Sequence, residues 1–320
     1  MKKTKDIFCT LGPSSLNKRN LKFYNNKISL LRLNMSHIEI NKLKDTIIFI
    51  RKFSTVPICI DTEGAQIRTK IKKKQNYKKN SKLTIFKNKG NLKIYPPECF
   101  KKIKKKDVLS IGFGNLEAKV VKVGFKKITC KVLEGGLLEN NKGVHIVNRN
   151  IKLNYITEKD KQAIDIAKKM NVRHFALSFT NSHKDMFKFN KLLEKQVKIY
   201  KIESKASIIN LDKIISAGQK FIIDRGDLSK AVSVEIIPII QRKILRLARI
   251  KKKKVYVATN FLESMVKNKY PTRGEANDIY NTLELGAAGL VLAAETAVGN
   301  YPRECVMFLR KMINIFEKYK

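Results

Sequence analysis

Short apolar runs rich in β-branched residues recur along the chain, and most are followed by a segment with helical periodicity. The runs are DIFCTLG, SLLRLNMSH, VPICIDTEG, HFALSFT, VKIYKIE, KFIIDRG, KVYVATN and GLVLAAET. Helical patterns are EINKLKDTIIFIRKF, NSHKDMFKFNKLLEK, SIINLDKIISAG, VSVEIIPIIQRKILRLARI, EANDIYNTLELG and the final PRECVMFLRKMINIFEKYK. This alternation is typical of βαβ units that build a parallel sheet. Eight units predict an α/β fold of the (β/α)8 TIM-barrel type.

One interval interrupts this alternation. Between residues 66 and 150 the pattern changes to short alternating strands with turn signals, as in KLTIFKNKGN and KVVKVGFKKITCKVLEGG. We therefore expect a barrel domain of residues 1–65 and 151–320, with a small β-barrel domain of residues 66–150 inserted after the third strand. An inserted domain at the mouth of a barrel is a candidate lid.

Composition limits the function classes. The 320 residues include 43% hydrophobic ones, enough for a folded core, and 68 Lys and Arg give a net charge of +41. The densest basic blocks, at 70–82, 101–107 and 251–254, contain only Tyr77 as an aromatic residue, which favours solvated surface over nucleic-acid binding. Five cysteines without a C-x-x-C pair, and no apolar run near the roughly 18 residues of a membrane span, predict a cytoplasmic protein without a membrane partner.

Polar residues collect where the apolar strands end. In a barrel of this type the active site lies at the C-terminal ends of the strands, so these residues are candidates for chemistry. They come from six of the eight strands: Arg32, Asn34 and Ser36; Asp61 and Thr62; Lys201 and Glu203; Arg225, Gly226 and Asp227; Thr259 and Asn260; Glu295 and Thr296.

The Arg-Gly-Asp at 225–227 has three readings: an exposed adhesion tripeptide, an ordinary turn, or a metal ligand. Glu203 and Asp227 are one strand-helix-strand step apart, which predicts that they lie at the same height on neighbouring strands, with Lys201 beside them. Two carboxylates suit Mg²⁺ or Mn²⁺, whereas a buried ion pair of Lys201 with Glu203 is the structural alternative. The convergence of six strand ends favours metal-assisted phosphoryl transfer.

With these residues in place, the chain resembles pyruvate kinase. The motifs are CTLGPSS, LRLNMSH, DTEGAQIRT, NKGVHIVN, TEKDKQAI, YKIES, IDRGDLS, VATNFLESM, PTRGEANDI and LAAETAVGNYP, in the family's order. The resemblance implies transfer of a phosphoryl group from phosphoenolpyruvate to ADP, giving pyruvate and ATP in the last step of glycolysis. It implies Mg²⁺ (or Mn²⁺) held by Glu203 and Asp227, Lys201 as the cation over the transferring group, and Arg32 as a phosphate clamp.

Further roles are implied by the same resemblance. Phosphoenolpyruvate would be contacted by Arg32, Lys201, Gly226, Asp227 and Thr259. A K⁺ site would be formed by Asn34, Ser36, Asp61 and Thr62. The nucleotide would be contacted by Asn34, His37, Arg68 and Lys142. Thr259 and Glu295 are further catalytic candidates, since water held by either residue is an alternative source of the proton for the enolate. The chain ends after the eighth helix, so the resemblance also implies that the family's C-terminal regulatory domain is absent and that the protein is a homodimer.

Several positions depart from the family's pattern. Ala293-Ala294 stands where a Ser-Gly pair is usual, which removes a hydroxyl associated with the final protonation. Asp224 replaces a small apolar residue, Asn260 replaces Gln, and Glu63, Ala65 and Gln66 replace Lys, Pro and Glu. Three alternatives to an active kinase stay open. They are a catalytically impaired barrel with a binding or regulatory role, a basic RNA-binding protein, and a Schiff-base aldolase that uses Lys201. The carboxylate of Glu203 beside Lys201 makes the aldolase the least favoured of these.

Overall fold

The computed structural model describes residues 5–112, 116–149 and 151–319. The strands within these ranges are β1 (Asp6–Thr10), β2 (Leu30–Asn34), β3 (Ile58–Asp61), β4 (Ile67–Ile71), β5 (Gln75–Tyr77), β6 (Lys82–Phe86), β7 (Leu92–Tyr95), β8 (Val108–Ile111), β9 (Leu116–Val123), β10 (Lys127–Glu134), β11 (Gly136–Leu138), β12 (Gly143–Ile146), β13 (His174–Leu177), β14 (Val197–Ile202), β15 (Lys220–Asp224), β16 (Lys254–Ala258) and β17 (Gly289–Leu292).

The helices are α1 (Lys18–Tyr24), α2 (Ile40–Phe53), α3 (Glu158–Lys169), α4 (His183–Leu192), α5 (Lys205–Ile209), α6 (Leu211–Ala217), α7 (Arg225–Leu228), α8 (Ile237–Ile250), α9 (Arg273–Glu284), α10 (Ala294–Ala297) and α11 (Pro302–Tyr319). Short 3₁₀ turns span Pro97–Lys102, Val234–Ile236 and Glu263–Val266. The chain divides into two compact units, one of Met1–Gly64 with Glu158–Lys320 and one of Ala65–Thr157.

The first unit contains a closed parallel barrel with strand order β1-β17-β16-β15-β14-β13-β3-β2. These are the eight predicted strands, and the TIM-barrel fold is confirmed. Each strand is buried along nearly its whole length, because helices cover one face and the barrel interior the other. The continuous apolar runs in the sequence have this physical cause.

One buried cluster contains residues from all eight barrel strands and fills the barrel interior. It consists of Phe8, Leu30, Cys59, Ala176, Ile199, Ile222, Tyr256, Ala258 and Val291. Side chains alternate between the two faces of a strand, so residues two positions further along project to the same side. On or just beyond six strands those next residues are polar and buried: Thr10, Arg32, Asp61, Ser178, Lys201 and Asp224.

Most predicted helices form at the positions that the periodicity indicates, but one predicted helix is divided into two. The segment SIINLDKIISAG forms two helices, α5 and α6, which meet at Asn210. Helix α5 begins at a reciprocal cap in which Ser204 and Ser207 exchange hydrogen bonds, and Asn210 has non-helical dihedral angles (φ −94°, ψ 15°). Helix α8 begins only at Ile237, after a 3₁₀ turn, with proline in its first turn, where the missing N–H costs nothing.

The second unit contains a closed barrel of seven strands in the order β10-β6-β7-β4-β12-β8-β9, which bears out the expected small β-barrel, and a two-stranded sheet of β11 and β5. It has its own apolar core, which includes Leu83, Leu109, Leu116 and Val132. All five cysteines of the chain are buried and form no disulfide. Within the described ranges, no helix is both long enough and apolar enough to span a bilayer.

Candidate active site

A buried chain of alternating charges lies beyond the apolar layer of the barrel. Arg32 Nε donates to Asp61 Oδ2 at 2.7 Å, and Lys201 Nζ lies 3.6 Å from the same oxygen. Lys201 Nζ also lies 3.0 Å from Glu203 Oε2 and 3.3 Å from Asp224 Oδ2. None of these five residues is more than 4% exposed. Such burial of unscreened charge is costly in free energy and indicates a function other than stability.

The ammonium of Lys201 is held in its charged form. Burial by itself would lower the pKa of Lys201, but the carboxylates of Asp61, Glu203 and Asp224 outweigh burial and raise it above the ordinary value. Arg32 is affected in the same way, since burial is opposed mainly by Asp61 and Asp224 and the net effect raises its pKa. Two permanent cations therefore lie side by side in a site from which water is largely excluded.

The carboxylates of the cluster repel one another. Burial, together with Asp227, Asp224 and Asp61, raises the pKa of Glu203 to about 8, although Lys201 acts in the opposite direction. Both partners of the Lys201–Glu203 pair thus rise in pKa, because Lys201 faces three carboxylates whereas Glu203 faces one ammonium and three carboxylates. The cluster is short of positive charge, and a divalent cation would supply it.

The backbone just after β13 orients Glu203 and leaves one of its carboxylate oxygens without a hydrogen bond. Its Oε1 accepts a hydrogen bond of 2.7 Å from the backbone N–H of Phe179, which has a left-handed conformation (φ 49°) unusual for a bulky residue. Its Oε2 contacts Lys201 Nζ without hydrogen-bond geometry, and no other described group donates a hydrogen bond to it. A buried acceptor of this kind fits a further cationic ligand.

The register of β14 and β15 differs from the prediction. Lys201 pairs with Ile222 and Ile202 with Ile223, so the residue level with Glu203 is Asp224, and Asp227 lies three residues further on, in α7. The expectation that Glu203 and Asp227 lie at the same height is wrong in this respect, because β15 ends at Asp224 and the chain turns into a helix. Glu203, Asp224 and Asp227 nevertheless each offer an oxygen within 4.8 Å of the other two.

Three hard oxygen donors in this arrangement suit Mg²⁺ or Mn²⁺, so the residues present fit the metal that the sequence implies. Asp227 Oδ1 is 2.6 Å from Lys230 Nζ, one helical turn away. The Arg-Gly-Asp is therefore no exposed adhesion loop: its Asp lies among carboxylates, and Arg225 Nη1 pairs with Asp278 Oδ2 at 2.7 Å.

Gly226 and Thr259 join the ends of β15 and β16. The backbone N–H of Gly226 donates to Thr259 Oγ1 at 2.8 Å, and Arg225 Nε donates to the Thr259 carbonyl at 3.0 Å. A Cβ added at Gly226 would meet its nearest neighbours, Asp224 and Thr259, at 3.5 Å, an ordinary contact distance. Crowding within the protein therefore does not by itself require glycine at this position.

The four residues assigned to K⁺ lie at the ends of β2 and β3, where Asn34 pairs with Asp61. Asn34 Oδ1 accepts from the Ser36 N–H at 3.0 Å, and Thr62 Oγ1 accepts from the Ser178 N–H at 3.0 Å. Both oxygens of Asp61 are engaged, by Arg32 Nε and by Ser178 Oγ. The structure brings the four residues together, and their role toward K⁺ stays a prediction.

The end of β17 carries Glu295, whose carboxylate is tied to the backbone. Its Oε1 accepts from the Leu262 N–H at 3.2 Å and its Oε2 from the Ala293 N–H at 2.8 Å. Thr296 Oγ1 donates to the Thr10 carbonyl at 2.9 Å. These contacts indicate that Glu295 and Thr296 fix the loop geometry around Ala293.

The residues assigned to the nucleotide lie on different units. His37 is exposed on the barrel unit, three residues beyond Asn34. Arg68 and Lys142 belong to the second unit, where Arg68 pairs with Gly143 in the β4–β12 ladder and Lys142 Nζ lies 3.2 Å from Glu139 Oε2. Arg68 and Lys142 are thus neighbours, and the nucleotide role of all these residues stays a prediction.

Sequence reasoning missed two contributors at the strand ends. Ser178 follows β13 and links Asp61 to Lys201, at 3.1 and 3.3 Å from its hydroxyl. Asp224 was noted only as a departure. Both would have been found by carrying the period of two one step further along every strand, because each follows an interior apolar residue by two positions.

Sequence reasoning also missed Lys159, which pairs with the unusual buried acid Glu63. Glu63, which stands where the family usually has Lys, is only 5% exposed and accepts from Lys159 Nζ at 2.9 Å. The Glu63 and Gly64 N–H groups both donate to the carboxylate of Asp160. The pairing with Lys159 gives the buried acid a counter-charge, which nothing in the sequence around Glu63 suggested.

Comparison with known proteins agrees with this geometry. Residues 1–306 match the family described as pyruvate kinase, barrel domain. The pyruvate kinases of Thermotoga maritima and Clostridium perfringens are each 32% identical, over 99% and 98% of this chain and 72% and 70% of their own lengths. That of Geobacillus stearothermophilus is 31% identical, over 98% of this chain and 57% of its own length. On its barrel, its strand-end residues and these relatives, the chain belongs to the pyruvate kinase family.

Proposed function

We propose that the chain transfers the phosphoryl group of phosphoenolpyruvate to ADP in a reaction that depends on Mg²⁺ or Mn²⁺, and that it gives pyruvate and ATP. The observation that carries the proposal is the pair of buried cations, Lys201 and Arg32, beside a three-carboxylate cluster. Phosphoryl transfer requires positive charge held without water around the moving group, and little covalent chemistry from the protein.

Arg32 is suited to clamp the phosphate. Its Nε is fixed by Asp61, whereas its Nη1 is buried and has no hydrogen-bond partner among the described residues. A guanidinium fixed through Nε by a carboxylate holds its Nη1 in a defined direction. We assign that nitrogen to a phosphate oxygen of phosphoenolpyruvate.

Lys201 is suited to stabilise the transferring group. Its ammonium is pulled toward Asp61, Glu203 and Asp224 and is charged at neutral pH. Negative charge spreads over the phosphoryl oxygens as the bond to the enolate oxygen breaks and the bond to the ADP oxygen forms. A fixed cation stabilises this charge more strongly than water does, since it needs no reorientation.

Glu203 and Asp227 would hold the divalent cation. A bound Mg²⁺ neutralises phosphate charge and aligns the two substrates. The residues of this chain prepare that site: Phe179 N–H fixes one oxygen of Glu203, and α7 holds Asp227 close to it. Thr259 and the backbone of Gly226 lie beside the cluster and would contact the carboxylate and enolate end of the substrate.

We further assign the nucleotide to Asn34, His37, Arg68 and Lys142, and K⁺ to Asn34, Ser36, Asp61 and Thr62, on the family resemblance. A catalytically impaired barrel is the second candidate, and the absence of a hydroxyl at Ala293 is the observation that favours it. Against it stands the full set of buried charges, which a barrel released from catalysis would have no reason to keep.

The test is pyruvate formation by the purified protein, followed with lactate dehydrogenase and NADH. We expect turnover only when phosphoenolpyruvate, ADP and Mg²⁺ are all present, and the assay with and without K⁺ addresses the monovalent site. Asp227→Asn removes one ligand charge at nearly constant volume, and we expect it to lower kcat by at least about 10²-fold with an unchanged circular-dichroism spectrum. Near-wild-type turnover by Asp227→Asn would refute the metal assignment.

A further inference from the structure

Asp224 is a buried acid to which the proposed function assigns no role as a ligand. It is 4% exposed and occupies the position of β15 that follows interior Ile222, so its side chain projects into the site. Its Oδ2 lies 3.3 Å from Lys201 Nζ, and its Oδ1 lies 3.5 Å from where a Cβ of Gly226 would be. The carboxyl group therefore reaches from the catalytic lysine toward α7, which carries Asp227.

Neutralising Lys201 does not account for this residue. The ammonium already has Glu203 at 3.0 Å and Asp61 at 3.6 Å, and with Arg32, which pairs with Asp61, only two positive charges face three buried carboxylates. A third buried carboxylate costs free energy unless a further cation shares it. The resemblance to the family implies a small apolar residue at this position, so Asp224 departs from the family's pattern.

Two independent observations point to a cation as the missing partner. Glu203, Asp224 and Asp227 each present an oxygen within 4.8 Å of the others, which is the spacing of ligands around one ion. Glu203 Oε2 is fully buried beside Asp224 and has no hydrogen-bond partner among the described residues. Its contact with Lys201 Nζ at 3.0 Å lacks hydrogen-bond geometry, so this acceptor, which lies within an acidic group, is in a position to coordinate a metal.

We propose that Asp224 is a third carboxylate ligand of the divalent-cation site, added to Glu203 and Asp227. This inference rests on the proposed function, because it deepens the metal site assigned there. A third anionic ligand increases the attraction between the protein and the ion and replaces one of the water molecules on the ion. The chain should therefore bind a divalent cation firmly before phosphoenolpyruvate arrives.

The test uses Mn²⁺ with the full chain in the absence of substrates. Electron paramagnetic resonance gives the free Mn²⁺ concentration and hence Kd, and water-proton relaxation gives the number of exchangeable waters on the bound ion. Asp224→Ala installs the small apolar residue typical of the position, and Asp224→Asn keeps the shape. Asp212→Asn is the charge control, because Asp212 is 72% exposed and pairs with Lys251.

We expect Asp224→Ala to raise the Kd for Mn²⁺ at least about tenfold, with one more exchangeable water on the ion, while Asp212→Asn binds as the wild type does. Asp224→Asn should also weaken binding, since it removes the anionic oxygen. A Kd within about threefold of the wild type, or weaker binding with an unchanged number of waters, would overturn the inference. Failure of the proposed function would be observed separately. In that case the wild type would bind Mn²⁺, and Asp227→Asn would abolish this binding, but the wild type would form no pyruvate.

Discussion

At the scale of single residues, the site has the charged side chains that the proposed phosphoryl transfer requires, but it lacks a hydroxyl at position 293. Ala293 is half-buried at the start of α10, and its N–H donates to Glu295 Oε2 at 2.8 Å. In the proposed reaction, phosphoryl transfer would use Lys201 and Arg32 and would not depend on a hydroxyl at 293. Protonation of the enolate carbon does depend on a proton donor, so the two halves of the reaction are affected differently.

We therefore predict that protonation limits turnover. A positioned proton donor contributes roughly 10² to 10⁴ in rate, so Ala293→Ser should raise kcat, and the wild type should show a solvent deuterium isotope effect on kcat that serine reduces. The measurement is kcat for both proteins in H₂O and D₂O. If there is no isotope effect and serine gives no gain, another group delivers the proton and the prediction fails.

At the scale of secondary-structure elements, helix ends and strand starts show how local sequence specifies the barrel. Helix α9 begins with a capping box in which Thr272 Oγ1 accepts from the Glu275 N–H and Glu275 Oε2 accepts from the Thr272 N–H. Glu275 also accepts hydrogen bonds from the N–H and hydroxyl of Ser264. The motif thus ties the helix to the loop after β16.

Thr272→Ala removes the side-chain half of this cap and should lower the free energy of unfolding by about 1 kcal/mol, within the usual range for such caps. Thr46→Ala is the matched control, because Thr46 lies within α2 and alanine is the better helix former there. Urea denaturation of the two variants and the wild type measures the difference. Equal midpoints for Thr272→Ala and Thr46→Ala would contradict the structural role of the cap.

His174, the first residue of β13, predicts a pH dependence of stability. Burial first, and then Lys220 and Arg173, lower its pKa from 6.5 to about 4. Below pH 6.5 the His174 imidazole is protonated in the unfolded chain but stays neutral in the folded chain until the pH approaches 4. This residue therefore makes the protein less stable as the pH falls from 6.5 toward 4. The loss of Tm over this window should be smaller in His174→Gln than in the wild type. Identical slopes for the two proteins would refute this.

The elements also show why the fold was largely predictable and the site only partly so. Strands β1, β2, β3 and β13–β17 follow from apolar runs that are short and buried on both faces. The predicted height of Asp227 was wrong, because the point where β15 ends depends on its pairing with β14 and β16, and that register is a tertiary property. The closure of the inserted barrel depends on a parallel β6–β7 pair, which hairpin signals do not encode.

At the scale of the whole molecule, the barrel brings together residues that are far apart in sequence. Arg32, Asp61, Ser178, Lys201 and Asp224 come from five strands, and each follows an interior apolar residue by two positions. The same periodicity that builds the core therefore also builds the site. The net charge of +41 has no comparable organisation in the sequence, since lysines occur throughout the chain.

The central claim is that the buried ammonium of Lys201 stabilises a transferring phosphoryl group. The direct measurement is formation of ATP from phosphoenolpyruvate and ADP by ³¹P NMR, with wild type, Lys201→Met and the control Lys205→Met, in which an exposed lysine of α5 is changed. Lys201→Met leaves its carboxylate partners buried, so circular dichroism must first show that the variant is folded at the assay temperature. The account predicts that folded Lys201→Met forms ATP at least about 10²-fold more slowly, while Lys205→Met matches the wild type. ATP formation by folded Lys201→Met at the wild-type rate would contradict it.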